Sequence, residues 1–116
     1  MCLLNEILMD KITKLKEMIS KFPDDCFSRH ALAMELLKMD NTEEAIHEME
    51  ELLLIDPNYV GTYYHLAKAY EKLHQYNRSL EVLENGIKVA MAITAQNDLR
   101  ELNGALDHLK DELDLD

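Results

Sequence analysis

Apolar residues recur every three or four positions along almost the whole chain, the spacing of one face of an α-helix. Leu4, Leu8, Ile12, Leu15, Ile19 and Phe22 form the first stripe and predict a long helix over 4–22. Pro23-Asp24-Asp25 ends it and opens the next, because proline cannot continue a helix and aspartate caps one. A second helix is expected over 26–39, with Ala31, Leu32, Met34 and Leu36 inside, and Asp40-Asn41 as a short turn. Asn41 followed by Glu44 has the form of a capping box with an amide in place of the hydroxyl, so a third helix starts at Thr42. Its buried face is Ala45, Ile46, Met49, Leu52 and Leu53. Asp56-Pro57-Asn58 is the next break. A fourth helix follows over 60–73, a turn at His74-Gln75-Tyr76, a fifth helix over 77–92, and a last turn at 94–96. The sixth helix, within 97–113, carries Leu99, Leu102, Leu106, Leu109 and Leu113, spaced as a heptad seam, with Asp107, Asp111 and Glu112 toward water. One narrow apolar face suits the end of a stack, where a polar outer face keeps the assembly soluble.

The stripes are in phase with one another. Pro23 and Pro57 lie 34 residues apart, and so do Leu32 and Leu66, Ala33 and Ala67, and Met49 and Leu83. Ile12, Leu15, Met18 and Ile19 align with Ile46, Met49, Leu52 and Leu53, and then with Leu80, Leu83, Gly86 and Ile87. A fixed period of this length marks a stacked helical repeat, in which one unit cannot bury its apolar face alone.

These positions resemble the tetratricopeptide repeat. Its motif has a large residue, then Leu followed by a small residue, then a large residue four places after the Leu, a small residue opening the second helix, and a closing Pro. Here the first full repeat reads Leu32, Ala33, Leu36, Ala45 and Pro57, and the second reads Tyr63, Leu66, Ala67, Tyr70 and Ser79. Small Ala33, Ala67, Ala45 and Ser79 let paired helices approach, and the large residues fill the gaps between pairs. The match covers 26–91. Met91 stands where the closing Pro belongs, Arg29 stands where a large aromatic is usual, and the sixth helix leaves the register. The resemblance implies an all-α, right-handed stack of antiparallel helix hairpins with about six helices. It forms a single domain over 1–116: a half-repeat helix over 4–22, repeats over 26–57 and 60–92, and a capping helix over 97–113.

By the same resemblance the first helix of each repeat lines a concave groove, which would carry Phe27, His30, Met34 and Lys38, then Tyr64, Lys68 and Lys72. Spacing agrees: His30, Met34 and Lys38 are four apart, as are Tyr64, Lys68 and Lys72, so each set shares a helix face. Charge sorts likewise. The third helix holds Glu43, Glu44, Glu48, Glu50, Glu51 and Asp56 with no Lys or Arg, so an acidic side would back a mildly basic, aromatic-lined groove. That groove suits a partner's peptide or helix bearing acidic or C-terminal carboxylate groups, held by Lys68 and Lys72. The family's two-carboxylate clamp for chaperone tails does not carry over. It needs Lys and Asn where this chain has His30 and Met34, and a third full repeat that this chain lacks.

Composition narrows the classes. The 116 residues make one small domain, and a net charge of −11 with no Lys/Arg cluster argues against nucleic acid and anionic membranes. Cys2 and Cys26 lack metal-type spacing and read as reduced thiols of a cytoplasmic protein. The apolar start, 1–9, is too short and lacks the basic flank of a signal peptide. Met1 and the polar tail 114–116 are expected to bound a natural unit.

Catalytic signatures are absent: no Gly-rich phosphate loop, no His-Glu-x-x-His and no Gly-x-Ser-x-Gly. The strongest enzyme-like feature is a pair of Glu-x-x-His motifs, Glu44/His47 and Glu71/His74, of the kind that builds a di-metal site in a four-helix bundle. The motifs lie 27 apart, out of phase with the repeat, and Glu44 and His47 flank buried Ile46 rather than share its face. Cys26 one turn from His30 reads as a small residue at a helix start, with an acidified thiol as the alternative. Met1, Leu3, Leu4, Ile7 and Leu8, on a helix without its usual partner, make a homodimer through the N-terminal helix the structural alternative. The sequence therefore points to a non-catalytic adaptor without cofactor or metal, binding another protein's segment.

Overall fold

The computed structural model describes residues 3–114. They form six α-helices and no strand: α1 (Leu3–Lys21), α2 (Cys26–Lys38), α3 (Thr42–Ile55), α4 (Gly61–Lys72), α5 (Tyr76–Ala92) and α6 (Gln96–Glu112). The chain divides into two compact units, one ending at Asp56 and holding α1–α3, the other starting at Pro57 and holding α4–α6.

In the first unit α2 packs against both α1 and α3. The core joins Leu8 and Ile12 of α1, Leu32, Ala33 and Leu36 of α2, and Ala45, Ile46, Met49 and Leu52 of α3. Leu53 is only half-buried. The long stripe expected on α1 is split: Leu15 and Ile19 are half-buried, whereas Leu4 and Phe22 are exposed. α1 has 19 residues and α2 has 13, so the start of α1, with Leu4, extends past α2, while Phe22 lies in the turn that joins them.

α3 starts at Thr42, but not through a capping box. The Asn41 side chain makes no cap to a backbone N–H, and its Nδ2 instead donates to Glu44 Oε1 at 3.0 Å. At the other end of the hairpin Arg29, in place of the usual aromatic, donates from Nε to the Pro23 carbonyl at 2.9 Å and from Nη1 to Glu48 Oε1 at 3.0 Å.

In the second unit α5 packs against α4 and α6, and α6 also reaches α4. Tyr63, Leu66, Ala67, Ala69 and Tyr70 of α4 meet Ser79, Leu83, Gly86 and Ala90 of α5, with Leu102 and Leu109 of α6 closing the core. Buried Ser79 Oγ donates to the Ala67 carbonyl at 2.8 Å, satisfying a hydroxyl that would otherwise be costly to bury. α4 and α5 come closest at Gly86, where an added Cβ would stand 2.7 Å from Tyr63 Cβ.

Three helix exits share one turn. Asp40, His74 and Thr94 adopt φ of 61°, 60° and 54°. The next residue then donates back across the turn, Asn41 to Leu36 O at 2.9 Å, Gln75 to Tyr70 O at 3.0 Å and Ala95 to Ala90 O at 2.8 Å. This is the Schellman arrangement, which satisfies helix-end carbonyls. The α5–α6 junction therefore uses the tight turn found inside a hairpin. No proline break is needed there, which accounts for Met91 at the closing-Pro position and for the lost register of α6.

Candidate functional site

The residues expected to bind a partner lie on two helix faces, one in each unit. On α2, Leu32, Ala33 and Leu36 point into the core, which leaves Phe27, His30, Met34 and Lys38 on the outer side. Phe27 is 73% exposed. His30 and Met34 are half-buried, and Lys38 Nζ is paired with Glu35 Oε2 at 3.2 Å. The other oxygen, Glu35 Oε1, is buried without a hydrogen-bond partner. The α2 face thus presents an aromatic ring and a cation, the latter paired with Glu35.

On α4, Leu66, Ala67 and Tyr70 are buried, and Tyr64, Lys68 and Lys72 share the opposite side. Tyr64 is half-buried, edge-on to His65 with ring centres 5.4 Å apart. Lys68 Nζ lies 3.4 Å from Glu71 Oε1. Lys68 and Lys72 form one wall of an open cleft of about 400 Å³ that also holds Glu71, His74, Tyr76, Glu112 and Leu113. A second hollow of about 510 Å³ continues past His74, Tyr76 and Leu113 to Arg78. His74 Nδ1 and the Tyr76 hydroxyl, both lining the cleft, are hydrogen-bonded at 2.7 Å. Arg78 stacks over Tyr70, with its guanidinium carbon 5.8 Å from the ring centre.

His74, Tyr76, Arg78 and Leu113 were not among the groove residues read from sequence, where His74 figured in a metal-type motif, Tyr76 in a turn and Leu113 in the α6 seam. Tyr76 and Arg78 open α5 just after the turn, and Leu113 is the last residue of the α6 seam. The seam spacing was the available signal; that α6 leans onto α4 is what turns it into a cleft wall.

The metal-type motifs are engaged elsewhere. Glu44 bonds Asn41 and lies 3.1 Å from Lys16, Glu71 bonds Lys68, and His74 bonds Tyr76. Among the described residues no group of three or more His, Cys, Asp or Glu side chains is placed to hold a metal ion. Cys26 is a free thiol and is not acidified. Burial pushes it up, Asp56, Asp25 and Asp24 push the same way, and Arg29 offsets them only in part. The helix start does not acidify the thiol here, because burial, followed by the surrounding carboxylates, pushes the other way. Cys2 and Met1 lie outside the described residues. No described helix is long and apolar enough to cross a membrane.

The tetratricopeptide repeat family model matches residues 36–93. No curated protein matches the chain. A tetratricopeptide repeat domain protein from Salinibacter ruber, solved by crystallography, is 45% identical over 74% of this chain and 96% of its own, with a TM-score of 0.71. The TPR2B domain of yeast Sti1 in complex with pHsp70 superposes with a TM-score of 0.84 at 22% identity, covering 94% of this chain and 87% of that one. A protein from Bordetella parapertussis gives 0.76 at 21% identity over 87% and 88%. By its repeat register, its hairpins and its likeness to the Salinibacter ruber protein, the chain belongs to the tetratricopeptide repeat family.

Proposed function

We propose that the protein is a non-catalytic interaction module of the cytoplasm, an adaptor that binds another protein, with the outer face of α2 in one unit and that of α4 in the other each serving as a binding surface. The observation that carries this reading is the cleft beside α4. It sets Lys68, Lys72 and Tyr76 around an open space in a chain whose net charge is −11. Lys68 and Lys72, set among Glu71, Glu112 and the Tyr76 ring, are the cations with which this cleft can pair an acidic or C-terminal carboxylate segment. Exposed Phe27 supplies an apolar anchor on α2. The yeast Sti1 domains of the same fold were solved as complexes with pHsp70 and pHSP90, which supports a protein or peptide as the class of ligand.

The test is affinity capture from the source cell with two baits, the wild type and Tyr64→Ala/Lys68→Glu/Lys72→Glu. A partner retained by the wild type and lost by the variant supports the reading. Equal capture by both baits discards it.

A further inference from the structure

α1 carries two seams. The inner one, Leu8, Ile12, Leu15 and Ile19, faces α2. The outer one runs Leu4, Ile7, Lys11, Lys14, Met18 and Lys21, spaced three, four, three, four, three, with Phe22 one step further. Every member is exposed: Leu4 60%, Ile7 45%, Met18 44% and Phe22 59%, with the three lysines open to solvent. A seam at this spacing lies along one side of a helix and fits another helix laid against it.

The repeat register says what kind of face this is. Lys11, Lys14 and Met18 align with Ala45, Glu48 and Leu52 of α3 and with Ser79, Val82 and Gly86 of α5. In α3 and α5 those positions receive the preceding helix of the hairpin. Ala45 and Leu52 are fully buried, Glu48 holds Arg29 of α2, Ser79 bonds the Ala67 carbonyl of α4, and Gly86 touches Tyr63 of α4. On α1 the same face has no helix against it among the described residues. Its centre differs as well, because the small residue of the hairpins is replaced by Lys11, followed by Lys14.

We propose that the outer seam of α1 docks an acidic amphipathic helix of another chain, with apolar residues at both ends of its contact and carboxylates at the centre facing Lys11 and Lys14. Charge decides between occupants. A second copy laid on this face, parallel or antiparallel, would bring two pairs of central lysines together, a repulsive arrangement. An anionic membrane is favoured when lysines flank an apolar face. Here they interrupt its middle, beside Asp10, which lies 3.3 Å from Lys14. Its residues are distinct from those named on the α2 and α4 faces.

The test uses the full chain and a fluorescent synthetic helix of about three heptads, apolar at both ends of its seam with glutamates at the two central seam positions. A control peptide has lysines there. Anisotropy should show the glutamate peptide binding about tenfold tighter than the control, weakening as salt is raised. The preference should reverse for Lys11→Glu/Lys14→Glu and vanish for Ile7→Glu/Met18→Glu. These positions are exposed, so the circular dichroism of both variants should match the wild type, and the salt series on the wild type tests the charge pairing with no substitution. Equal binding of the two peptides, or no binding of the glutamate peptide, overturns the proposal. So does a wild-type dimer in sedimentation that Ile7→Glu/Met18→Glu dissolves, which assigns the face to a second copy. Pelleting with phosphatidylserine vesicles that depends on the same residues assigns it to a membrane.

Discussion

Where the second unit places Tyr63, the first places Arg29, yet both side chains end on the same kind of atom. The Tyr63 hydroxyl donates to the Pro57 carbonyl at 2.7 Å, and Arg29 Nε donates to the Pro23 carbonyl at 2.9 Å. The neighbouring positions have changed in step. The second unit has Val82 and Gly86 on α5, and the first has Glu48 and Leu52 on α3. Against the broad ring of Tyr63 there is room only for a glycine. Beside Arg29 there is a carboxylate for its remaining nitrogen and a fully buried leucine. The repeat register thus conserves a job, tying the helix to its proline turn and filling the gap, and lets volume and charge move among three positions.

That reading can be broken by moving one position at a time. Leu52→Gly gives the first unit the glycine of the second without its tyrosine. Cavity and helix-propensity costs together should lower stability by about 4 kcal/mol, read from a urea midpoint. Gly86→Leu forces a side chain into Tyr63 and should cost about 3 kcal/mol. Adding Tyr63→Arg and Val82→Glu completes the transplant, and the triple variant should be more stable than Gly86→Leu alone. A triple variant no better than the single one would show that the three positions are not a unit. Arg29→Ala removes both bonds and strands Glu48, whose side chain is 15% exposed; a loss of about 1–2 kcal/mol is expected.

The turns give a finer contrast. Thr94 is β-branched and sits at φ 54°, whereas Asp40 at φ 61° is a short polar residue that tolerates this region. Thr94→Gly should therefore raise stability by about 1 kcal/mol, and Asp40→Gly should change it by less, measured by thermal melts of both variants. The smallest effect concerns Cys26. Its folded pKa is raised above the ordinary value of 9.0, so folding favours the protonated thiol. That contribution is present below the unfolded pKa and is lost as pH rises through the folded one. In a Cys2→Ser background, alkylation of Cys26 at pH 8 should be slower in the folded protein than in urea.

The first five helices were legible because two signals agreed, the period of apolar residues within each helix and the 34-residue phase between them, whereas α6 was legible from its own seam spacing alone. The first turn of α3 was legible in place but not in chemistry: Asn41 and Glu44 are close enough in sequence to satisfy each other, and no pattern distinguishes that bond from a cap. Leu4 and Phe22 fit the inner stripe of α1 by spacing, yet both are exposed: Leu4 lies at the start of a helix longer than α2, and Phe22 falls in the turn beyond the end of α1. The outer seam of α1 was hidden for another reason. Two lysines at its centre break the apolar pattern by which seams are recognised. In the cleft, the faces of α4 could be read from four-residue spacing, but the contribution of Leu113 depends on α6 leaning onto α4.

The shared Schellman turns bear on how fast the chain assembles. Three of them hold α2 to α3, α4 to α5 and α5 to α6, so most of each unit's core is made by segments adjacent in the chain. Short loops close at little entropic cost, and topologies built from such local pairings fold in roughly microseconds to milliseconds. A hairpin nucleus can form in either unit without waiting for a distant segment to arrive. Apolar surface is then covered early, which leaves little time for collapsed chains to find one another and aggregate.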